Sequence, residues 1–201
     1  MSKYRIRKSD ICYPDTSVPV NKLNIQDADT LHALEEELLT EAYSVFISEL
    51  NEKTRFDENY FKSLHARTFD SLYEWAGQYR TFDMYKAESM FCRGAYVAQE
   101  SRRIFSQFDR INDFHKKWNK EEFAEYLGRF KCERIALHPF YESNGRIIRL
   151  FFDIVALAHG FDLIDYRHHS PEEYLEASIE CVQYADPSKM TRILFDGLKK
   201  L

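Results

Sequence analysis

The chain has 201 residues, of which 44% are hydrophobic and 30% are charged, a balance typical of a folded globular protein and not of a disordered one. Its formal net charge of −5 gives no reason to expect a nucleic-acid or membrane surface. Only 6 Gly and 5 Pro accompany 16 Phe and 13 Tyr, which favours long helices over a sandwich with many turns. We therefore expect a single, mainly helical domain over residues 1–201.

The first 25 residues predict an irregular N-terminal arm, in which Pro14 and Pro19 mark turns. The basic start MSKYRIRKSD has no apolar run, so we expect no secretory signal. The longest apolar stretch, Leu150 to Ala158, contains Asp153 and is too short to cross a membrane. These features predict a cytoplasmic protein without a membrane anchor.

Four cysteines lie far apart without a CxxC pair, at Cys12, Cys92, Cys132 and Cys181. Because they lack metal-ligand spacing, they do not predict a zinc site. Free and mostly buried thiols in a reducing compartment are the expected state of all four.

Helical spacing of apolar residues begins near Asp27 and predicts the first helix of a helical core over 26–201. A second helix is predicted from Asp57 to an end near Gly77. The helical period breaks over 80–93, where apolar and polar residues alternate imperfectly and indicate a short β-hairpin. Helices resume near Tyr96.

Three later signals predict helix starts. Asn119 followed by Glu122 has the spacing of a capping box. Residues 170–173, Ser-Pro-Glu-Glu, place an N-cap serine before a proline and a glutamate. Asp186-Pro187 predicts the start of a last helix.

The segment from about Asn144 to His159 is apolar on almost every face beyond its first turn. A helix of that kind belongs in the centre of a bundle. Gly160 supplies a stop signal at its C-terminus. We therefore expect the core to hold the N-terminus of this helix rigidly.

The residues just before that helix form a loop, because Pro139 prevents the preceding helix from continuing. A loop that enters a buried helix presents unpaired backbone N–H groups, which bind anions. Arg146 and Arg149 are three residues apart, so their guanidinium groups are expected on one side of the first turn. Two such groups beside a helix N-terminus suit a polyphosphate.

Two further side chains complete this segment. Glu142 beside phosphates implies Mg²⁺, which one carboxylate and phosphate oxygens can hold. The imidazole of His138 can take a proton from a hydroxyl nucleophile. Each residue alone has an ordinary structural explanation, but their combination between 138 and 149 predicts phosphoryl or nucleotidyl transfer.

The segment 138–149 closely resembles the Fic-domain motif, His-Pro-Phe-x-(Asp/Glu)-Gly-Asn-Gly-Arg-x-x-Arg, at every specified position but one. The resemblance implies an all-α Fic-fold helical bundle with a small β-hairpin flap near 80–93. It also implies a protein adenylyltransferase that transfers AMP from ATP to a Ser, Thr or Tyr hydroxyl and releases pyrophosphate.

The resemblance assigns a role to each matching residue. His138 is the general base, Phe140 anchors the loop in the core, and Glu142 holds Mg²⁺. Arg146 neutralises the leaving pyrophosphate and Arg149 reaches the terminal phosphate. The full set of implied nucleotide contacts is Ser143, Asn144, Gly145, Arg146, Arg149 and Lys86.

The exception to the motif is Ser143, where the family usually has Gly. If this position needs a positive φ, Ser costs on the order of 1 kcal/mol in strain, and its hydroxyl would crowd a phosphate. We therefore expect impaired but not absent activity. The related Doc-type kinases have Ala there and Lys in place of Gly145, so Gly145 leaves room for the nucleotide orientation used in AMP transfer.

The segment from Leu72 to Thr81 resembles the family segment that leads into the flap, which runs from about Phe82 to Phe91. In the family the flap pairs with an extended stretch of the target protein, and family targets include GTPases and topoisomerase subunits. Lys86 is equally consistent with a nucleotide or target contact and with a solvated charge. Trp75 and Tyr79 are expected in the core.

Many family members are inhibited by a helix bearing Ser/Thr-x-x-x-Glu-Gly/Asn, whose Glu pairs with the second arginine of the motif. Val45 to Leu50 comes near this pattern but lacks the first hydroxyl and the final Gly or Asn. The resemblance then implies a separate small inhibitor, as in toxin–antitoxin pairs, or no such control. An ion pair between Glu49 and Arg149 would contradict this expectation.

Two alternative functions stay open. One is transfer of another phosphate-containing group, such as a terminal phosphate or UMP. The other is a nucleotide-binding or partner-binding module whose catalysis is weakened by Ser143.

Overall fold

A computed structural model describes residues 11–86 and 89–201 of the chain. Over these residues the protein has seven α-helices and one antiparallel sheet of two strands. The helices are α1 Ala28–Glu49, α2 Glu58–Phe69, α3 Val97–Gln107, α4 Lys120–Leu137, α5 Asn144–Ala158, α6 Pro171–Tyr184 and α7 Ser188–Gly197. The strands are β1 Tyr85–Lys86 and β2 Ser89–Met90, with Tyr85 opposite Met90. The predicted all-α bundle with a small hairpin is confirmed.

Three predicted helix starts are confirmed by their caps. The side chains of Asp27 and Asp57 each accept a hydrogen bond at 2.9 Å from the backbone N–H three residues on, at the start of α1 and α2. At the start of α6, Ser170 and Glu173 form a complete capping box, with each side chain bound to the other's backbone N–H. These polar caps satisfy N–H groups that a helix start leaves without an intrahelical partner.

The capping box predicted for α4 is only half formed. The Asn119 side chain accepts from the Glu122 N–H at 2.7 Å, as expected. The Glu122 carboxylate instead accepts a hydrogen bond from Lys116 Nζ at 2.8 Å. A lysine in the preceding loop competes for this carboxylate, and the charged partner prevails.

The predicted end of the second helix near Gly77 is wrong, because α2 ends at Phe69. The N-terminal arm takes the carbonyl groups that a longer helix would need. Lys22 donates through its backbone N–H to the Leu72 carbonyl at 2.9 Å and through Nζ to the Asp70 carbonyl at 2.7 Å. Contacts between segments distant in sequence therefore override the local helical pattern.

The predicted arm and flap are described only in part. Over residues 11–25 the chain is irregular, as expected, with an isolated bridge between Cys12 and Pro19. The first ten residues of the arm and residues 87–88 of the flap lie outside the described residues. In the described part of the chain, none of the helices has the length and apolar character needed to cross a bilayer.

The helix α5 lies in the centre of the bundle, as predicted from its apolar faces. Its residues from Ile147 to Ala156 are buried except Arg149, and Gly160 ends the segment with a φ of 76°. Residues from the arm to the end of α7 belong to the same hydrophobic core. The start of α5 is thereby held from inside the protein.

The structure pairs Cys132 of α4 with Cys181 of α6 in a disulfide, with their Cα atoms 4.9 Å apart. The expectation of free thiols is therefore wrong for these two residues. Packing of α4 against α6 brings together cysteines that are 49 residues apart, a proximity that their spacing cannot reveal. Cys92 is a free cysteine and is half-buried.

Candidate active site

The loop between α4 and α5 is closed by core residues. Helix α4 ends where His138 adopts a left-handed backbone with φ 46°, just before Pro139. The Asn144 side chain spans the loop, because Oδ1 accepts from the Phe140 N–H at 2.7 Å and Nδ2 donates to the Phe140 carbonyl at 2.8 Å. Phe140 is fully buried and stacks on Phe61, with ring centroids 5.3 Å apart. The loop therefore presents its remaining side chains from a fixed frame.

His65 of α2 supports the same loop and was missed by the sequence analysis. Its Nδ1 accepts from the Gly77 N–H at 3.0 Å, so its Nε2 carries the proton and donates to the Glu142 carbonyl at 3.2 Å. Burial lowers the pKa of His65 to about 3, because a charged imidazole would lose its hydration. A lone histidine on the apolar face of a predicted helix was its only signal in the sequence.

His138 lies on the cavity side of this loop with its ring fixed by an aromatic neighbour. The Phe91 ring, at the end of the flap, stacks on the imidazole with centroids 3.8 Å apart and planes within 10°. His138 is largely buried but lines the cavity described below. Its orientation is thus set jointly by the loop and by the flap.

Ser143, the residue that departs from the motif, has a φ of 61°, so this position does require a left-handed backbone. Its hydroxyl is engaged within the protein, because it donates to Glu35 Oε1 at 3.3 Å and accepts from Arg146 Nη2 at 2.7 Å. A side chain here carries a conformational cost that glycine would avoid. The hydroxyl offsets part of that cost through these two contacts.

Arg146 forms an ion pair with a buried carboxylate that the sequence analysis missed. Its Nη2 lies 2.8 Å from Glu35 Oε2, and its Nη1 lies 3.5 Å from Glu36 Oε1. Glu35 also accepts a hydrogen bond from the Tyr73 hydroxyl at 2.8 Å. Helix α1 therefore provides a negative charge directly behind the first arginine of the motif.

Arg149 has a different environment, formed by aromatic rings. Its guanidinium lies 4.5 Å from the centroid of Tyr174 and 4.9 Å from that of Tyr166. Behind these rings the buried Lys131 donates from Nζ to the Tyr166 hydroxyl at 2.7 Å. Aromatic faces attract a guanidinium without neutralising it, so Arg149 keeps its positive charge.

The carboxylate of the near-miss inhibitory segment does not approach Arg149. Glu49 instead forms two hydrogen bonds of 2.7 Å with Arg67 of α2. The ion pair between Glu49 and Arg149, which would have indicated an internal inhibitory helix, is therefore not formed. Among residues 11–86 and 89–201, no carboxylate makes an ion pair with Arg149.

One cavity of about 630 Å³ unites all the residues that the sequence analysis singled out as candidate site residues. They are Lys86, His138, Glu142, Ser143, Asn144, Gly145, Arg146 and Arg149. Lys86 reaches this cavity from the flap, whereas the other residues belong to the loop and the first two turns of α5. The imidazole and the two guanidinium groups thus share one cleft.

One wall of the cavity comes from α6 and was not predicted. Leu175 and Ile179 are large apolar residues on this wall that remain 44% and 37% exposed. Val182 and Gln183 continue the same face of the helix into the cavity. The sequence analysis predicted only the start of this helix at Ser170, and that signal does not reveal which face of the helix meets a cleft.

Glu142 is the candidate metal ligand, and its surroundings suit a cation that is shared with a substrate. It lines the cavity, and its Oε1 accepts the Ser143 N–H at 3.0 Å. In the described part of the chain, no group of three or more His, Cys, Asp or Glu side chains is placed to hold a metal. A cation there would take one protein carboxylate and complete its shell with phosphate oxygens and water, as Mg²⁺ does in nucleotide-dependent enzymes.

Comparison with known proteins identifies relatives over most of the chain. A family model described as the Fic/DOC family matches residues 55–156. The probable protein adenylyltransferase y4lH of Sinorhizobium fredii (strain NBRC 101917 / NGR234) is 30% identical over 179 residues, which cover 89% of this chain and 91% of that protein. The protein adenylyltransferase VbhT of Bartonella schoenbuchensis is 31% identical over 182 residues, which cover 90% of this chain but 37% of VbhT.

Solved structures share the fold. The BepC protein of Bartonella tribocorum, with bound AMPPNP, aligns with a TM-score of 0.80 over 94% of this chain and 96% of that one. The N-terminal Fic domain of a VirB-translocated Bep effector protein of Bartonella quintana aligns with a TM-score of 0.81 over 96% of this chain and 93% of that one. Both are 22% identical to this chain, so the likeness concerns the arrangement of the helices.

Proposed function

This chain belongs to the Fic/DOC family, and from that premise we propose that it is a protein adenylyltransferase, an enzyme that transfers AMP from ATP to a hydroxyl of a target protein. The observation that carries the proposal is the single cavity in which His138, Glu142, Arg146 and Arg149 meet beside the N-terminus of α5. The continuous core of the described helices supports one catalytic domain over 1–201.

The chain's own residues supply proton transfer and charge stabilisation. The oxygen of a Ser, Thr or Tyr hydroxyl attacks the α-phosphorus of ATP, a new P–O bond forms, and the bond to the bridging oxygen of the β-phosphate breaks. Pyrophosphate leaves, and the hydroxyl proton passes to the imidazole of His138. Its position at the cavity edge, stacked on Phe91, supports this role as general base.

The phosphates are bound at the start of α5. The N–H groups of Asn144, Gly145 and Arg146 have no intrahelical carbonyl partner and form an anion site together with the helix dipole. Arg149 brings a full positive charge against the aromatic wall, whereas part of the Arg146 charge is balanced by Glu35. Arg149 is thus the stronger electrostatic contact for a terminal phosphate, and Arg146 serves the leaving pyrophosphate.

Mg²⁺ fits Glu142, and when bound it would neutralise phosphate charge in the cavity. The apolar wall of α6 is suited to the adenine and ribose, because Leu175 and Ile179 offer apolar surface opposite the motif. A cavity of about 630 Å³ is in the range that holds a ligand of nucleotide size. Dependence on ATP supports a cytoplasmic location.

The target protein is proposed to bind at the flap. The strands β1 and β2 are short, and Lys86 on β1 lines the cavity, so a peptide added at the flap lies beside the reacting groups. GTPases and topoisomerase subunits, which are targets elsewhere in the family, are candidates. Since no described carboxylate pairs with Arg149, control by a separate antitoxin-like protein, or no such control, is proposed.

The test is label transfer from α-labelled ATP with Mg²⁺ to proteins of a cell lysate. We expect labelled proteins with the wild type and a loss of about 10²-fold or more for His138→Ala, the typical contribution of a general base. His115→Ala, a substitution of an exposed histidine in the loop before α4, is the matched control and should label like the wild type. Equal labelling by His138→Ala and wild type would remove His138 as the base.

The same reaction separates the alternatives. AMP adds about 329 Da to a target and phosphate about 80 Da, as follows from the groups transferred. Label transferred to the target from γ-labelled ATP would indicate phosphate transfer. Label transferred from α-labelled UTP, used in place of ATP, would indicate UMP transfer. ATP binding without transfer under all these conditions would leave the binding module as the function.

A further inference from the structure

Arg80 is 1% exposed and lies between the flap and the loop that carries His138. Its guanidinium donates to four backbone carbonyls. Nε reaches the His138 carbonyl at 2.7 Å and Nη1 reaches that of Phe82 at 2.6 Å. Nη2 is shared between the carbonyls of Cys92 at 2.5 Å and Leu137 at 3.0 Å.

Burial of a charged guanidinium costs free energy unless well-placed hydrogen bonds compensate for its lost hydration. In the described residues no carboxylate forms an ion pair with Arg80, and burial lowers its pKa to about 10 because the charge loses its hydration. A guanidinium is the only side chain with a planar fork of five donors. A lysine at this position presents three donors on a single atom, so it cannot reach all four carbonyls that the guanidinium binds through three separate nitrogens.

The four carbonyls belong to two functional segments. Phe82 and Cys92 are the two ends of the flap, and Leu137 and His138 are the end of α4 and the start of the loop. Backbone contacts reinforce the same junction, because the Cys92 N–H donates to the Ala136 carbonyl at 2.9 Å. One cation therefore fastens both ends of the flap to the residue that carries the imidazole.

The conformation of His138 explains why an anchor is needed there. A residue other than glycine with φ 46° is disfavoured and persists only when its surroundings hold it. Arg80 Nε holds the carbonyl of this residue, and Phe91 holds its ring. Both restraints come from the flap or from its base.

We propose that Arg80 is a positioning residue that holds the flap and His138 in one fixed relation, so that a hydroxyl presented on the flap arrives at the imidazole. The inference rests on the proposed function, in which the flap binds the target and His138 takes the proton. Arg80 touches neither substrate and acts through the backbone of His138, Phe82 and Cys92.

Arg80→Lys tests this role, with Arg134→Lys as the matched control. Arg134 is also a buried arginine, but its guanidinium donates to Ser101 and it does not line the cavity. For Arg80→Lys we expect a fall in kcat of about 100-fold, the scale of a misplacement of about 1 Å, and a rise in KM for the target. Binding of a non-hydrolysable ATP analogue should change by less than about threefold, since the nucleotide contacts remain.

NMR measurements give a readout that is independent of activity. In the wild type, the Arg80 Nε and Nη protons should exchange slowly and give separate resonances, because four carbonyls fix the group. In Arg80→Lys, the His138 ring resonances should shift, whereas in Arg134→Lys they should stay at the wild-type positions. If the wild type transfers no label, the proposed function fails, but these spectra still test the anchor.

Three results would overturn the proposal. One is a wild-type Arg80 side chain with averaged, rapidly exchanging protons, which needs no variant to observe. Another is an Arg80→Lys protein with wild-type kcat and wild-type His138 resonances. The third is an Arg134→Lys protein that loses kcat to the same extent at equal thermal stability, since the loss would then reflect general destabilisation.

Discussion

The floor and the roof of the cavity are held in different ways. The floor, defined as the loop 138–143 and the first two turns of α5, is fixed by buried polar side chains such as Asn144, Glu35 and His65. The roof, defined as β1, β2 and the exposed face of α6, has strands of two residues each. A hydrogen bond of 3.0 Å from Gln183 Nε2 to Ser89 Oγ joins its two parts.

This difference separates two tasks. Catalytic groups need fixed positions, and the floor provides them through side chains that cannot move without leaving a buried partner unsatisfied. Binding of an extended peptide needs a surface that can adapt, and the two-residue strands allow that between the anchored ends of the flap. Substitutions in the floor should therefore change stability and kcat, and substitutions in the flap strands of the roof or in their contact with α6 should change KM for the target.

The largest effect is expected for Arg146→Ala, which leaves the buried Glu35 without its cation. Loss of one partner of a buried ion pair typically costs about 3 to 5 kcal/mol in the free energy of unfolding. Urea denaturation measures this change. Adding Glu35→Gln to Arg146→Ala should restore at least about 1 kcal/mol, because the uncompensated charge is then removed. A single variant as stable as the wild type would show that this pair does not hold the floor.

The next effect concerns acid stability and depends on His65. Its pKa is about 3 in the folded protein and 6.5 in the unfolded chain, so between these values the unfolded chain binds the additional proton. Stability from this group is complete above pH 6.5 and is lost as the pH falls toward 3, by about 3 kcal/mol between pH 7 and pH 4.

Denaturation of wild type and His65→Gln as a function of pH isolates this contribution. The variant should be less stable at pH 7, because glutamine does not reproduce the geometry of the two hydrogen bonds that the imidazole makes to the Gly77 N–H and the Glu142 carbonyl. Its further loss between pH 7 and pH 4 should be smaller than that of the wild type. Parallel curves would mean that His65 does not stay neutral in the floor.

A smaller effect distinguishes Ser143→Gly from Ser143→Ala. Alanine keeps the strained positive φ and loses the hydroxyl, whereas glycine removes the strain, so the glycine variant should be more stable by about 1 kcal/mol. ATP affinity of the glycine variant should stay within about threefold of the wild type, because the hydroxyl is engaged by Glu35 and Arg146. Much tighter ATP binding would instead show that this hydroxyl crowds a phosphate.

The smallest change in stability is expected in the roof, for Gln183→Ala. A partly exposed hydrogen bond contributes about 0.5 to 1 kcal/mol at most, so the unfolding free energy should change little. KM for the target should rise a few-fold while kcat stays unchanged. Ser89→Ala should give the same result, and the double variant should add nothing further. A loss of kcat in either variant would break the distinction between floor and roof.

The sequence predicted the motif residues of the floor better than the residues from other helices that hold them in place. The short spacing of His138, Glu142, Arg146 and Arg149 determines their placement, because a loop and one helix carry all four. Glu35 is more than 100 residues away in the chain, and no local pattern indicates that it meets Arg146.

The same limit explains the errors. The end of α2 depends on Lys22 from the arm, and the pairing of Cys132 with Cys181 depends on how α4 packs against α6. Caps at Asp27 and Ser170 were predictable, since they join residues three apart. Local hydrogen bonds can be derived from sequence, whereas partners from distant helices require the packed structure.

Gly145 has open space around it, because a Cβ placed there would meet no heavy atom within 4 Å among the described residues. It lies in an ordinary helical conformation, in which larger residues are intrinsically more favourable than glycine. The fold thus leaves room for a side chain at this position, and such a side chain would enter the cleft. A substitution at 145 should therefore change what the cleft binds while the thermal stability of the protein stays the same.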